Sequence, residues 1–212
     1  MTKLLIVRHG YSTSNVHKTF TGHIDSPLSE VGFKQAEKVS AYLNENYKVD
    51  EIYSSDLSRA FDTVMPLAKI LNKGIKKQEN LREIYGGKWE GEKFDDLIEK
   101  YKDDYYLFRN NPGISRCTGG ESYVEAGQRI LAAVNEIAKN NLGKTVVVAT
   151  HGGVIRALQC LLMDIPFEEM NKTTYAVNAS VSVVEYKDGK LVWLGTDKTA
   201  YLDGLVTQMP KI

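Results

Sequence analysis

Cysteine and proline are both scarce in this sequence: 2 and 5 of 212 residues. Cys117 and Cys160 form no C-x-x-C pair, so a thiol redox motif is excluded. Cys160 lies within ALQCLLM, where a small buried hydrophobe is expected. An excess of charge of either sign is also missing. Lys+Arg and Asp+Glu both number 27, giving a formal net charge of zero. No global field draws the chain to nucleic acid or to an anionic membrane, so any affinity for an anion must come from a local cluster. No apolar stretch approaches the length that spans a bilayer. The short apolar run of MTKLLIVRHG meets charge at once, unlike the core of a signal peptide. A cytoplasmic address is therefore the default expectation. Internal repeats, low-complexity tracts and Pro/Ser-rich linkers are absent too, and 212 residues suit one domain spanning 1–212.

What is present begins with a pattern that occurs twice. LLIVRHG at 4–10 and VVVATHGG at 146–153 are β-branched apolar runs ending in His-Gly. Unbroken runs of this kind suit strands buried on both faces of a largely parallel sheet. Further strands are expected at 51–54, 181–186 and 191–194, with Asp188-Gly189 turning a hairpin between the last two. Helical stripes lie between the strands. One holds Ala36, Val39, Leu43 and Tyr47 behind Ser29 as N-cap. A second holds Leu57, Ala60, Val64, Leu67 and Leu71 with Asp56 as cap, and Pro66 should kink it or shift its start. Val124, Leu131, Val134 and Ala138 form a third, and 154–163 a fourth. The alternation predicts an α/β fold: a three-layer sandwich with a mostly parallel central sheet, one antiparallel edge and helices on both faces. Residues 88–120 are polar and aromatic and are broken by Asn111-Pro112-Gly113. They are read as an insertion, helical near 93–108, that serves as a lid or substrate wall.

In open α/β sheets, ligands bind beyond the carboxyl ends of the strands. His9 and His151 each follow a buried strand directly and converge there if the two strands are parallel neighbours. Arg8 ends its strand, and Arg59 falls in the first turn of its helix, leaning back toward the same crevice. The glycine after each histidine lets backbone amides approach an anion closely. Two histidines, two arginines and exposed amides are the parts that hold a phosphoryl group. Arginine's planar fork pairs bidentately with phosphate oxygens and keeps its charge. A neutral histidine can be the covalent nucleophile that splits one displacement into two, and neighbouring arginines favour its neutral form. His17 and His23 lack comparable context and are read as loop residues.

Arg8-His9-Gly10 with Ser12 and Asn15 resembles the R-H-G-x-[ST]-x-x-N signature of the histidine phosphatase superfamily, the phosphoglycerate mutase-like proteins. The resemblance continues in order through 22–29 (GHIDSPLS), 54–60 (SSDLSRA), 81–91 (LREIYGGKWEG), 120–122 (GES) and 150–153 (THGG). It covers residue 3 to about 186 and is weakest over 92–118. It implies that His9 is the nucleophile that becomes phosphorylated. It implies further that Arg8, Arg59 and His151 hold the phosphoryl oxygens with Asn15 beside them, and that Glu83 protonates the leaving oxygen and then activates water. Glu83 is not identifiable from the residues alone. Thr21, Gly22 and Gly152 complete the expected substrate-binding set.

The superfamily contains hydrolases and mutases. Tyr85-Gly86-Gly87 agrees with the mutase pattern, but Lys88-Trp89-Glu90-Gly91 departs from it, and no Arg-Arg pair stands ready for a carboxylate. The expected activity is hydrolysis of a small phosphorylated metabolite, with a cofactor-dependent mutase as the alternative and a non-catalytic phospholigand-binding module third. No cofactor and no metal are expected. H-E-x-x-H is absent, and so is the G-x-S-x-G of α/β-hydrolases. The sequence leaves the oligomeric state open, homodimer included.

Overall fold

The computed structural model describes residues 1–196 and 199–207. The strands β1 (Thr2–Arg8), β2 (Glu51–Ser54), β3 (Ile75–Lys77), β4 (Thr145–Thr150), β5 (Val181–Lys187) and β6 (Lys190–Thr196) form a sheet in the order β3-β2-β4-β1-β5-β6. The first four in that order are parallel, and β5 and β6 supply the expected antiparallel edge. Between the strands run α1 (Thr13–His17), α2 (Glu30–Asn46), α3 (Ser58–Leu71), α4 (Phe94–Lys100), α5 (Lys102–Asn110), α6 (Tyr123–Lys139) and α7 (Gly152–Leu162). No helix among the described residues is long and apolar enough to cross a membrane.

The two central strands divide their side chains between two apolar layers. Leu4, Ile6, Val146 and Val148 pack with residues of α6 and α7, while Leu5, Val7, Val147 and Ala149 pack with α2 and α3. Each such Leu, Ile or Val contributes about 1.5–3 kcal/mol relative to exposure. With apolar groups on both faces, alternation alone cannot fix register. The polar strand ends do so, because a one-residue slip would carry Arg8 toward the core. Arg8 pairs in register with Thr150.

Local signals explain most elements. Ser29 caps α2 by accepting from Gly32 N at 3.1 Å. At the β5–β6 hairpin, Asp188 and Gly189 take φ of 51° and 81°, the left-handed pair that a two-residue turn requires. Four expectations need correction. Asp56 does not cap α3: it pairs with Arg82, and the Ser58 N–H at the helix start donates to Asp25 Oδ1 at 2.8 Å from another loop. The stripe assigned to α6 is also shifted. Val124 is exposed, and the buried face is built from Tyr123, Ala126, Gly127, Ile130, Ala133, Val134, Ile137 and Ala138. α3 runs unbroken through Pro66, so its start is not displaced. His17 ends the short α1 rather than lying in a loop.

Helices appear within 88–120 where expected, as α4 and α5. They are held by Trp89, fully buried against Phe20, Tyr105 and Phe108, whose indole N–H donates to Thr118 Oγ1 at 2.9 Å.

Candidate active site

His9 is placed from both sides of β1, by the end of β4 and by the segment just before β5. Its N–H donates to the Thr150 carbonyl at 2.9 Å, while Asn178 Nδ2 and Ala179 N donate to its own carbonyl at 3.0 and 3.2 Å. The ring is fixed by a 2.7 Å contact between Nδ1 and the Gly10 carbonyl. A carbonyl can only accept, so Nδ1 carries the hydrogen and Nε2 keeps its lone pair in the neutral ring. Burial, and after it the charges of Arg59 and Arg8, hold the His9 pKa well below its ordinary value. The ring is therefore neutral at physiological pH, with a nucleophilic nitrogen of known identity. His151 lies beside it, ring centroids 5.2 Å apart, so the parallel pairing of β1 and β4 brings the two imidazoles together.

The two arginines are more enclosed than a solvated clamp would be: Arg8 is 3% and Arg59 2% exposed. Arg8 Nη1 donates to the Ala176 carbonyl at 2.7 Å, and its guanidinium lies 5.1 Å from the Tyr175 ring centroid. Arg59 donates to the Gly22 and Ile24 carbonyls at 2.8 and 2.9 Å. Burial lowers its pKa to about 10, with Glu83 and Asp25 opposing, so it remains charged at neutral pH.

Asn15, on α1, also lines the site. Its Oδ1 accepts from Ser12 N at 3.1 Å in the capping box of α1, which leaves the amide Nδ2 as the group to meet a ligand. Gly22 has φ of 51°, and a Cβ there would strike Glu90 Oε1. The loop that Arg59 holds thus requires glycine at that point.

Glu83 reaches this site from outside the sheet. Its Oε2 accepts from Gly153 N at 2.9 Å, and its Oε1 from Val154 N at 3.1 Å and Ile84 N at 2.9 Å. The carboxylate thus caps the first turn of α7, where free N–H groups favour an anion. Gly153 makes this approach possible, since a Cβ there would lie 2.6 Å from Glu83 Oε1.

All of these groups but His151 share one cavity; His151, fully buried beside His9, is not among its lining residues. Arg8, His9, Asn15, Thr21, Gly22, Arg59 and Glu83 line it, with Ser12, Ser14 and Thr19 on one side. An aromatic and apolar wall of Phe20, Ile84, Phe94, Phe108, Tyr123 and Tyr175 faces them. Gly152 does not line it: a Cβ there would lie 3.0 Å from Arg8 Nε and the Tyr175 hydroxyl, and its neighbour Gly153 is the lining residue. His23 stands behind Glu83, with Nε2 2.8 Å from the Glu83 carbonyl. Phe94 and Phe108 belong to the 88–120 insertion read as a lid or substrate wall, whereas Phe20, Tyr123 and Tyr175 carry no motif that marks them in the sequence.

The model of the histidine phosphatase superfamily (branch 1) matches residues 4–198. The chain belongs to this superfamily. Similar histidine phosphatase superfamily relatives include phosphoserine phosphatase 1 of Hydrogenobacter thermophilus, 32% identical over 95% of either chain. Another is the metal-independent phosphoserine phosphatase of Arabidopsis thaliana, 33% identical over 91% of this chain and 79% of that one. Among solved structures, Bacillus stearothermophilus YhfR superposes with a TM-score of 0.91 at 29% identity, over 96% of this chain and all of that one.

The burial of Arg59 changes what its removal should do. Arg59→Ala deletes a positioned donor, which lowers kcat on a phosphate ester by about 10²–10³-fold. It also strips partners from the Gly22 and Ile24 carbonyls, so thermal stability should fall as well, by about 1–3 kcal/mol for each acceptor left unmet. Arg59→Lys keeps the charge without the fork and should recover stability more than rate. Parental activity in folded Arg59→Ala protein would remove Arg59 from the site.

Proposed function

We propose that this protein is a metal-independent phosphomonoester hydrolase that works through a phosphohistidine on His9. One observation carries the reading: a buried, neutral histidine whose Nε2 lone pair is fixed by the Gly10 carbonyl, in a cavity that also holds Arg8 and Arg59. Phosphoryl transfer asks a protein chiefly for position and for charge to meet the equatorial oxygens. Arg8, Arg59 and His151 supply the charge and donors here, with the Asn15 amide beside them. His9 Nε2 attacks phosphorus in line, and the P–O bond to the leaving group breaks as Glu83 gives its proton to that oxygen. Water then attacks the phosphohistidine, Glu83 takes the water's proton, and His9 and inorganic phosphate are released.

Relatives are named both as phosphoserine phosphatases and as phosphoglycerate mutase-like proteins, and the two described above favour hydrolysis. Both are phosphoserine phosphatases, one named metal-independent. The cavity supports it as well. Beyond the phosphate end, the leaving group meets hydroxyls and an aromatic wall, and no lysine or further arginine is among the lining residues. We place the substrate wall in the 88–120 insertion, because Phe94 of α4 and Phe108 of α5 both line the cavity.

The test is a phosphate-release screen over sugar, nucleotide, glycerate, seryl and aryl phosphates, with and without EDTA, alongside a bisphosphoglycerate-dependent mutase assay. Release of phosphate at an unchanged rate in EDTA is the expected result. Mutase turnover without net phosphate release, or activity lost in EDTA and restored by one metal, would overturn the reading.

A further inference from the structure

His151 and Ser55 are both fully buried, and their polar atoms meet where β4 and β2 end side by side. His151 Nε2 lies 2.9 Å from Ser55 Oγ, a contact that either atom could donate. The surroundings of Ser55 decide which does. Leu57 N–H points at Ser55 Oγ from 3.4 Å and takes one of its lone pairs. Ser55 is itself held in place, its own N–H donating to the Ala149 carbonyl at 2.9 Å. No acceptor other than His151 Nε2 meets the Ser55 hydroxyl among the described residues. Were the imidazole the donor, the hydroxyl hydrogen would be buried with nothing to accept it, an arrangement that folded proteins avoid.

We propose that Ser55 is a positioning residue that donates to His151 Nε2 and so locks the ring in its Nδ1–H tautomer. Nδ1 is buried with no hydrogen-bond partner among the described residues, in a ring whose centroid lies 5.2 Å from that of His9, where the phosphoryl group would be carried. In the locked tautomer it meets those oxygens with an N–H; in the other tautomer it would present a lone pair to them. Burial, followed by the charge of Arg59, keeps the ring from gaining a second proton. Without Ser55 no other described residue would hold a neutral imidazole to the productive form. The proposal rests on the phosphoryl-transfer reading for its consequence but not for its geometry.

The test is two-bond proton–nitrogen correlation NMR on protein labelled with ¹⁵N-histidine. The chain has four histidines, and the His151 ring is identified by its loss in His151→Asn. In the parent, Nδ1 should be pyrrole-like and Nε2 pyridine-like. Ser55→Ala should show the two tautomers mixed, with kcat down about 10–100-fold, the scale on which groups that orient an imidazole act, and KM little changed. Ser55→Thr should restore both the spectrum and the rate. A parent spectrum with Nε2 protonated overturns the proposal even if no variant folds. So does a folded Ser55→Ala protein that keeps the pure Nδ1–H spectrum and the parental kcat. A parent with the expected spectrum that releases no phosphate from any ester would instead count against the proposed hydrolase.

Discussion

His9→Ala should abolish phosphate release, and the parent quenched during turnover should carry phosphate on His9 that is labile in acid and stable in base. A phosphoramidate has that stability, whereas a phosphoserine or aspartyl phosphate does not. The expectation follows from the hydrogen-bond pattern as much as from the residue type. Because Nδ1 is tied to the Gly10 carbonyl, the bond to phosphorus must form at Nε2, and digestion followed by mass spectrometry should find one isomer only. Because burial and two arginines hold the ring neutral, the nucleophile should stay competent well below pH 6.5, where an ordinary histidine protonates. The fold should survive the substitution, since the His9 backbone contacts remain. Turnover by His9→Ala near the parental rate, or phosphate trapped on another residue, would end the mechanism.

Glu83→Gln should separate substrates by their leaving groups. General acid catalysis is worth about 10²–10⁴-fold, so hydrolysis of an alkyl phosphate should fall by that factor. An aryl oxide leaves without a proton, so cleavage of an aryl phosphate should be much less affected. The second half-reaction needs Glu83 as base, so phosphohistidine should accumulate when the variant is given the aryl ester. Some loss unrelated to proton transfer is also expected. Both carboxylate oxygens accept backbone N–H groups, and a glutamine must turn its own NH₂ toward one of them. The start of α7 would loosen and lower the rate with every substrate. The alkyl-to-aryl ratio is therefore the quantity to measure. An unchanged ratio with no trapped intermediate would reduce Glu83 to a cap. The nearby carboxylates are poor replacements: Glu90 accepts from His23 N and Gly86 N, Glu121 is held by Arg129, and neither lines the cavity.

Where function depends on the ends of long apolar runs, the sequence was readable. Two strand-His-Gly units signalled two buried strands but not that they are neighbours, and Arg59, in the first turn of its helix, lines the cavity with His9. The readings that failed depended on partners distant in the chain. Asp56 precedes α3 as a cap should, yet Arg82 claims it and Asp25 meets the helix instead. The buried face of α6 includes tyrosine, glycine and alanine, which a search for large aliphatics skips. β3 is three residues, Ile-Lys-Lys, too short to show a period. Glu83 reads as one acid among 27 until Gly153 and Val154 come to it across the fold. Tyr175, Phe20 and Tyr123 are ordinary aromatics in the sequence and become part of a site only by packing.

The strand order has a consequence for how the chain is made. β4 lies between β1 and β2, yet it is translated after both and after the whole 88–120 insertion. Until it emerges from the ribosome, the slot between β1 and β2 cannot close, and β1, whose other neighbour β5 is translated later still, has both apolar edges unpaired. Filling that slot is a long-range closure, the kind of step that slows folding and leaves aggregation-prone edges exposed in the meantime. His151 arrives with the strand that fills it, so the nascent protein brings His151 beside His9 and completes its parallel sheet in the same event, before Tyr175 and Ala176 reach Arg8.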